Sequence, residues 1–225
     1  MKNPINVLKG ILVLGAFVMM AFTGCNNSNV TAPAADNLEM SVYSYPGVTD
    51  APSSIILDSI KVLLKDIKLN VSGQSDTNNF KTGPFMIRLN PNSSINIISS
   101  ALIPNGSYDK VQFEIHKLSD GDAVDTAFSY NGGKYSIVVY GKYNGADFIY
   151  RSSKSAKQKL NFNPPAVVNS VTKSNITLTV QPYTWFWNGS DYMDPRVTSN
   201  DDSIDNNIKS SFKAIKDDDH NGIQD

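Results

Sequence analysis

The stretch 59–71 reads Ser-Ile-Lys-Val-Leu-Leu-Lys-Asp-Ile-Lys-Leu-Asn-Val, and its apolar residues recur at every second position. The first phase runs from Ile60 to Leu64, and the pattern shifts by one residue at Asp66 before it continues to Val71. Side chains alternate between the two faces of a strand, so a shift of one residue is what a β-bulge produces. The spacing alone also allows a helix, but the enrichment in Ile and Val favours a strand. We therefore predict a strand with one bulge.

The same alternation recurs along most of the chain. Apolar residues alternate with polar ones in 111–115 and again in 176–180. Asn144-Gly145 separates two further alternating segments, and this dipeptide indicates a hairpin because both residues tolerate positive φ. The other strands that we expect are 40–45, 85–89, 135–140 and 147–150, and one helical turn is expected within 93–102.

Short alternating strands give each sheet one apolar face that needs a partner. We therefore predict a mainly β protein, an antiparallel β-sandwich over residues 38–190 of the transthyretin/carboxypeptidase-regulatory-like or Ig-like kind. A single C-terminal helix is expected beside it. The residues predicted to face the core are Ile60, Val62, Val111, Phe113, Ile115, Ile176, Leu178 and Val180.

Composition excludes several classes of protein. The 225 residues include 18% charged residues, 10% aromatic residues and one cysteine. This is unlike a disordered chain, and a single cysteine excludes a disulfide scaffold and a thiolate metal cluster. The formal net charge of −1 argues against a nucleic-acid partner, which would require a basic surface.

The first 24 residues read as an export signal. Lys2 and Lys9 are positive, and Ile11–Ala21 is an apolar run of signal-peptide length. The run ends in Phe22-Thr23-Gly24-Cys25, which resembles the lipobox of bacterial lipoproteins, in which the cysteine is lipidated and becomes the mature N-terminus. An ordinary secretory signal with an incidental cysteine is the alternative.

The segment after Cys25 fits a lipid anchor. Residues 25–37 lack apolar periodicity and indicate a flexible tether. The resemblance implies a chain held to the cell-envelope membrane by its N-terminal lipid. Asn26 occupies the position where enterobacterial lipoproteins retained at the inner membrane carry Asp, which favours the outer membrane.

Residues 38–118 resemble a family of exported bacterial and archaeal lipoproteins with a conserved domain of unknown function that begins in a "DAP" stretch. The motifs that carry the resemblance are Asp50-Ala51-Pro52, the strand 60–71, the strand 85–89 and Ile103-Pro104-Asn105-Gly106-Ser107-Tyr108 leading into 111–115. The resemblance implies a prealbumin-like or carboxypeptidase-regulatory-like β-sandwich without an established enzymatic activity.

The C-terminal segment 191–225 has a different composition. Ile204, Ile208, Phe212 and Ile215 recur at helical spacing, and Asp201, Asp202 and Ser203 precede them as candidate N-capping residues. Seven aspartates crowd into the last 25 residues. We predict a helix that leads into an acidic loop.

That loop, Asp217-Asp218-Asp219-His220-Asn221-Gly222-Ile223-Gln224-Asp225, resembles the first nine positions of EF-hand and dockerin calcium loops. Calcium requires about six to eight oxygen ligands. The predicted ligands are the side chains of Asp217, Asp219 and Asn221, the carbonyl of Ile223, and Asp225. The sequence ends before the bidentate carboxylate of the twelfth position, so a further ligand is expected from the terminal carboxylate, Asp201, Asp202 or the sandwich. A solvated acidic tail is the alternative.

Two other groups of residues could carry chemistry. Tyr183, Trp185 and Trp187 could form a glycan-binding surface, or they could pack against the C-terminal helix. His116 is expected to be an exposed strand residue, because no nucleophile is paired with it in the sequence. No zincin, nucleophile-elbow, P-loop or Rossmann motif is present.

These observations favour a non-catalytic, lipid-anchored envelope protein with a structural, adhesive or ligand-binding role. An envelope hydrolase, or a glycan-binding protein that uses the aromatic cluster near Trp185, is the alternative. A pocket that holds two carboxylates at catalytic separation would favour the hydrolase.

Overall fold

The computed structural model describes residues 35–46, 54–92 and 94–225, and in this part the chain is mainly β. Its strands are β1 (Leu38–Ser44), β2 (Ile55–Val71), β3 (Thr77–Leu89), β4 (Ile95–Ala101), β5 (Gly106–Ile115), β6 (Ser129–Tyr130), β7 (Gly133–Lys134), β8 (Ile137–Tyr143), β9 (Ala146–Ser152), β10 (Ala156–Val168), β11 (Ser174–Val180) and β12 (Lys213–Lys216). One α-helix is described, α1 (Asp201–Ser211), together with short 3₁₀ turns at Thr126–Phe128, Pro182–Phe186 and Thr198–Asn200.

The strand β2 contains the alternating stretch 59–71, and it is the centre of the larger sheet. It pairs with β8 along its first half, with β5 along its second half, and with β3 along most of its length. The pairing with β3 shifts at Asp66, whose φ is +55°, so the bulge predicted from the change of phase is confirmed. The Asp66 carboxylate accepts a hydrogen bond from the Gly83 N–H at 3.2 Å.

The smaller sheet has the order β12-β11-β1-β4. Within it β1 and β11 run parallel, whereas β4 and β12 pair with their neighbours in antiparallel fashion. The larger sheet has the order β10-β5-β2-β8-β9 and is antiparallel. The predicted β-sandwich with one C-terminal helix is therefore confirmed.

The core lies between these two sheets. Every residue that the alternation placed in it is buried there: Ile60, Val62, Val111, Phe113, Ile115, Ile176, Leu178 and Val180. Each large apolar side chain buried in this way contributes about 1.5–3 kcal/mol relative to an exposed one. The hairpin between β8 and β9 is also confirmed, because Asn144 and Gly145 both adopt positive φ at its tip.

Several expectations about local structure are wrong. Residues 95–101 form the edge strand β4 and not a helical turn, because they complete the ladder of β1. The helix α1 ends at Ser211, so Ile215 lies in β12, and Asn200 occupies the N-cap position without a side-chain hydrogen bond. Because β12 pairs with β11, the sandwich extends past residue 190.

Each sheet is also partly covered on the side that faces away from the core. Residues 117–136 pack over the outer face of the larger sheet, where Leu63, Phe128 and Val138 form a second buried cluster. His116 is consequently buried, not exposed as expected, and its ring nitrogens lie 3.0 Å from Asp122 and 3.4 Å from Glu114. The outer face of the smaller sheet is partly covered by the C-terminal loop, residues 217–225.

Candidate metal centre

The C-terminal loop, residues 217–225, comes directly after β12 and turns back over β11 and β1. Its ends are tied together, because the Asp225 N–H donates to the Lys216 carbonyl at 3.1 Å. The turn is made by two residues with positive φ, His220 at +59° and Gly222 at +79°. A Cβ on Gly222 would lie 2.7 Å from the Tyr43 ring, so glycine is required both by the backbone and by the close approach to β1.

Asp217 is the buried centre of the loop. Its side chain has no exposed surface. One carboxylate oxygen accepts a hydrogen bond from the Thr177 hydroxyl at 2.7 Å and from the Gly222 N–H at 3.1 Å, and the other accepts from the Asn221 N–H at 2.9 Å. These donors offset the cost of burying a carboxylate, and they fix the direction in which its remaining lone pairs point.

Three of the predicted ligands meet in space. Carboxylate oxygens of Asp217, Asp219 and Asp225 all lie within 4.8 Å of one another, with Asp217 buried and the other two exposed. Calcium–oxygen distances are about 2.3–2.6 Å, so two oxygens on one ion can be separated by at most about twice that distance. The cluster therefore satisfies the distance condition for sharing one ion.

The other predicted ligands have defined positions, but their contacts do not show an oxygen atom directed at the three carboxylates. The Asn221 side-chain oxygen accepts the Ile223 N–H at 2.6 Å, and its amide nitrogen donates to Asp219 at 2.7 Å. Ile223 extends its side chain into solvent. Asp201 and Asp202 lie in the first turn of α1, where Asp202 is 3.4 Å from Lys154. Asn221 and Ile223 accordingly remain predicted ligands.

Lys216 contacts one carboxylate of the cluster, Asp225, and the neighbouring carboxylate of Asp218. Its ammonium lies 2.7 Å from Asp218 and 2.9 Å from Asp225. The hydrogen bond to Asp218, together with that to Asp225, raises the pKa of Lys216, and the Asp218 N–H and Lys216 hold the pKa of Asp225 below its ordinary value. Asp225 is therefore ionised at neutral pH, as a calcium ligand must be.

The sheet beneath the loop supplies contacts that the sequence pattern did not predict. Asn175 donates to the Asp217 carbonyl at 2.7 Å, and the Asn175 N–H donates to Asp218 at 2.8 Å. His220 lies 2.7 Å from Glu39, and the Tyr45 hydroxyl donates to the Gly222 carbonyl at 3.1 Å. No sequence signal marked these contacts, because the polar residues at alternate positions of β1 and β11 are typical of a solvent-exposed face.

The aromatic cluster separates into buried and exposed members. Trp185 is fully buried and its indole N–H donates to the Ser211 hydroxyl at 2.7 Å, so the packing interpretation describes it and the glycan-binding alternative is wrong for this residue. Tyr183 packs against the edge of the core. Trp187 is 38% exposed.

Cys25, the predicted lipidation site, and the "DAP" stretch 50–52 lie outside the described residues. Within the described ranges, no helix is both long enough and apolar enough to cross a bilayer. No family model, curated protein or solved structure matches the chain. A proposal about function therefore rests on the chain's own residues.

Proposed function

We propose that the chain is a non-catalytic, lipid-anchored protein of the bacterial cell envelope whose β-sandwich is stabilised by Ca²⁺ bound in the C-terminal loop. Its role is structural, adhesive or ligand-binding. Its anchor is a lipid on Cys25, and Asn26, in the place of the Asp that would retain it at the inner membrane, favours the outer membrane. The observation that carries the calcium part is the convergence of the Asp217, Asp219 and Asp225 carboxylates around a fixed, buried Asp217.

The chemistry of the donors favours calcium over softer metals. Among the described residues, the cluster offers carboxylate oxygens and no thiolate or imidazole, and His220 instead contacts Glu39. Hard oxygen ligands suit calcium and magnesium, and a short loop with an irregular ligand set is better matched to calcium, which tolerates variable geometry. Two exposed ligands leave room for water to complete the coordination.

The anchor is supported by sequence alone. The lipobox-like Phe22-Thr23-Gly24-Cys25, the preceding apolar run and the polar tether agree with the resemblance to exported lipoproteins. Membership of the family that begins with a "DAP" stretch is part of the same proposal. The sandwich carries the strands that the resemblance requires at 60–71, 85–89 and 111–115.

Detergent phase partitioning tests the anchor. The wild-type chain, expressed in a bacterium with its own leader, should enter the detergent phase, because a lipid on Cys25 is the expected attachment once residues 1–24 are removed. A Cys25→Ser variant expressed behind a cleavable secretory leader should remain in the aqueous phase. Mass spectrometry of the wild-type N-terminal peptide should show acylated Cys25, and an unmodified Cys25 would refute the lipoprotein assignment.

A further inference from the structure

Two hollows in the surface have Trp187 among their lining residues. One is a cleft of about 420 Å³ that lies between the end of β11, the turn at Pro182–Phe186 and the end of α1. The other is an open depression of about 480 Å³ that lies against Asn188 and Asn206. Trp187 and Asn207 line both hollows, and the two hollows together are called the groove.

The exposed Trp187 is held in place by its neighbours. The Asn207 side chain donates to the Trp187 carbonyl at 2.8 Å and to the Trp185 carbonyl at 3.1 Å, which fixes the backbone on both sides of Phe186. The Tyr192 ring lies 5.1 Å from the indole at an interplanar angle of 69°. An exposed aromatic ring fixed before binding loses little conformational entropy when a ligand covers it.

The lining of the groove is polar but nearly uncharged. It consists mainly of hydroxyl and amide side chains, among them Thr179, Gln181, Asn206 and Asn207, and in the part of the chain that the structure describes Lys213 is the one charged residue that lines either hollow. Neutral donors and acceptors around an aromatic platform match a ligand that carries many hydroxyl groups and an apolar C–H face. A charged ligand would need opposite charges, and a lipid chain would need a continuous apolar wall.

We propose that this groove binds a neutral carbohydrate chain, with one pyranose ring stacked on Trp187 and its hydroxyl groups hydrogen-bonded to Gln181 and Asn207. Trp185, buried beneath the groove, supports the platform and does not touch the ligand. The proposal is independent of the calcium site, although the Tyr45 side chain lines the groove and also donates to the Gly222 carbonyl of the C-terminal loop.

The chain has two tryptophans, of which one is buried and one is exposed, and this makes fluorescence a selective probe. The full chain in zwitterionic detergent would be titrated with hexasaccharides of β-1,4-glucose, β-1,4-xylose, β-1,4-mannose and β-1,4-N-acetylglucosamine. We expect at least one of them to bind with Kd on the order of 10⁻⁵ to 10⁻³ M. Binding should shift the emission and protect Trp187 from acrylamide quenching.

Variants locate the site. Isothermal titration calorimetry measures binding by the variants, because Trp187→Ala lacks the fluorescent reporter. Trp187→Ala should weaken binding by about tenfold or more, as loss of a central aromatic anchor does, and Gln181→Ala by a smaller factor. Tyr130→Ala removes another exposed aromatic residue, which lines neither hollow, and this variant should bind like the wild type. Emission from the remaining Trp185 reports that the Trp187→Ala variant is folded.

Two results would overturn the proposal. The first is absence of binding to all four hexasaccharides at about 10 mM, a concentration at which even millimolar affinity is detected. The second is binding that Trp187→Ala leaves unchanged. Repeating the titration with calcium and with chelator separates this proposal from the calcium proposal. Trp187-dependent binding in chelator would support a carbohydrate site in the groove even if the C-terminal loop binds no calcium.

Discussion

At the scale of single residues, Asp217 and Gly222 define the C-terminal loop. Asp217 is buried with three hydrogen-bond donors directed at its carboxylate, and Gly222 supplies one of those donors. The Gly222 backbone lies against the Tyr43 ring. Asp217 therefore joins the candidate metal centre to β11, and Gly222 joins it to β1.

Gly222→Ala should destabilise the protein by about 2 kcal/mol or more, because alanine is strained at positive φ and its Cβ would overlap the Tyr43 ring. Gly73→Ala is the matched control: Gly73 has a similar φ of +72° but nothing within 4 Å of a built Cβ. It should lose only about 1 kcal/mol, the backbone part of the cost. Urea unfolding followed by circular dichroism measures both, and equal losses would mean that the contact with Tyr43 does not constrain the loop.

At the scale of elements, the two sheets resemble each other in having one covered outer face. Residues 117–136 cover the larger sheet and the C-terminal loop covers the smaller one. Each of these two covering segments contains a buried or half-buried aspartate that accepts a hydrogen bond from a strand residue. Asp217 accepts from Thr177, and Asp125 accepts from Lys61. The Lys61 ammonium lies 2.6 Å from Asp125 and holds the pKa of that carboxyl below its ordinary value, with help from the Ala127 N–H.

Asp125→Asn should therefore cost stability in a pH-dependent way. The lowered pKa in the folded state means that the carboxylate stabilises the fold above the unfolded-state pKa near 4, and that this contribution disappears as pH falls through the folded-state value. In urea unfolding at pH 7 we expect a loss of about 1 kcal/mol, and the loss should shrink as the pH falls below about 4. Asparagine retains an acceptor for Ala127, so a loss that does not change with pH would show that the ion pair with Lys61 is not the cause.

The strands and their core faces could be predicted from sequence because period-two alternation reports burial directly, as at Ile60 and Val111. The two segments that cover the outer faces, residues 117–136 and 217–225, could not be predicted, because polar residues at alternate positions are typical of a solvent-exposed face. His116, Asn175 and Thr177 are such residues, and all three are buried beneath these segments. The spacing from Ile204 to Ile215 is that of one helical face, but the helix ends at Ser211, and Ile215 lies in β12, which pairs with β11.

At the scale of the whole molecule, the C-terminal loop contacts β1 and the residue that follows it. Glu39, Tyr43 and Tyr45 all contact it through His220 or Gly222. β1 begins directly after residues 25–37, the proposed tether, so an ion that stiffens the loop would also hold the strand to which the proposed anchor is connected. Calcium would then stabilise the sandwich where the membrane attachment acts on it.

The thermal unfolding midpoint of the full chain in calcium, magnesium and chelator tests the central claim most directly. A ligand that binds only the folded state raises stability with its concentration. With Kd on the order of 10⁻⁴ to 10⁻³ M, about 10 mM calcium should raise Tm by about 3 to 10 °C relative to chelator, with a smaller effect from magnesium.

Two single variants give this measurement its control. Asp219→Ala removes an exposed carboxylate of the cluster and should abolish the calcium-dependent rise in Tm. Asp218→Ala removes the contacts with Lys216 and Asn175, so it should lower Tm in every buffer and keep most of the rise. A wild-type Tm that is the same in calcium and in chelator, or a rise that both variants lose equally, would contradict a calcium-stabilised loop.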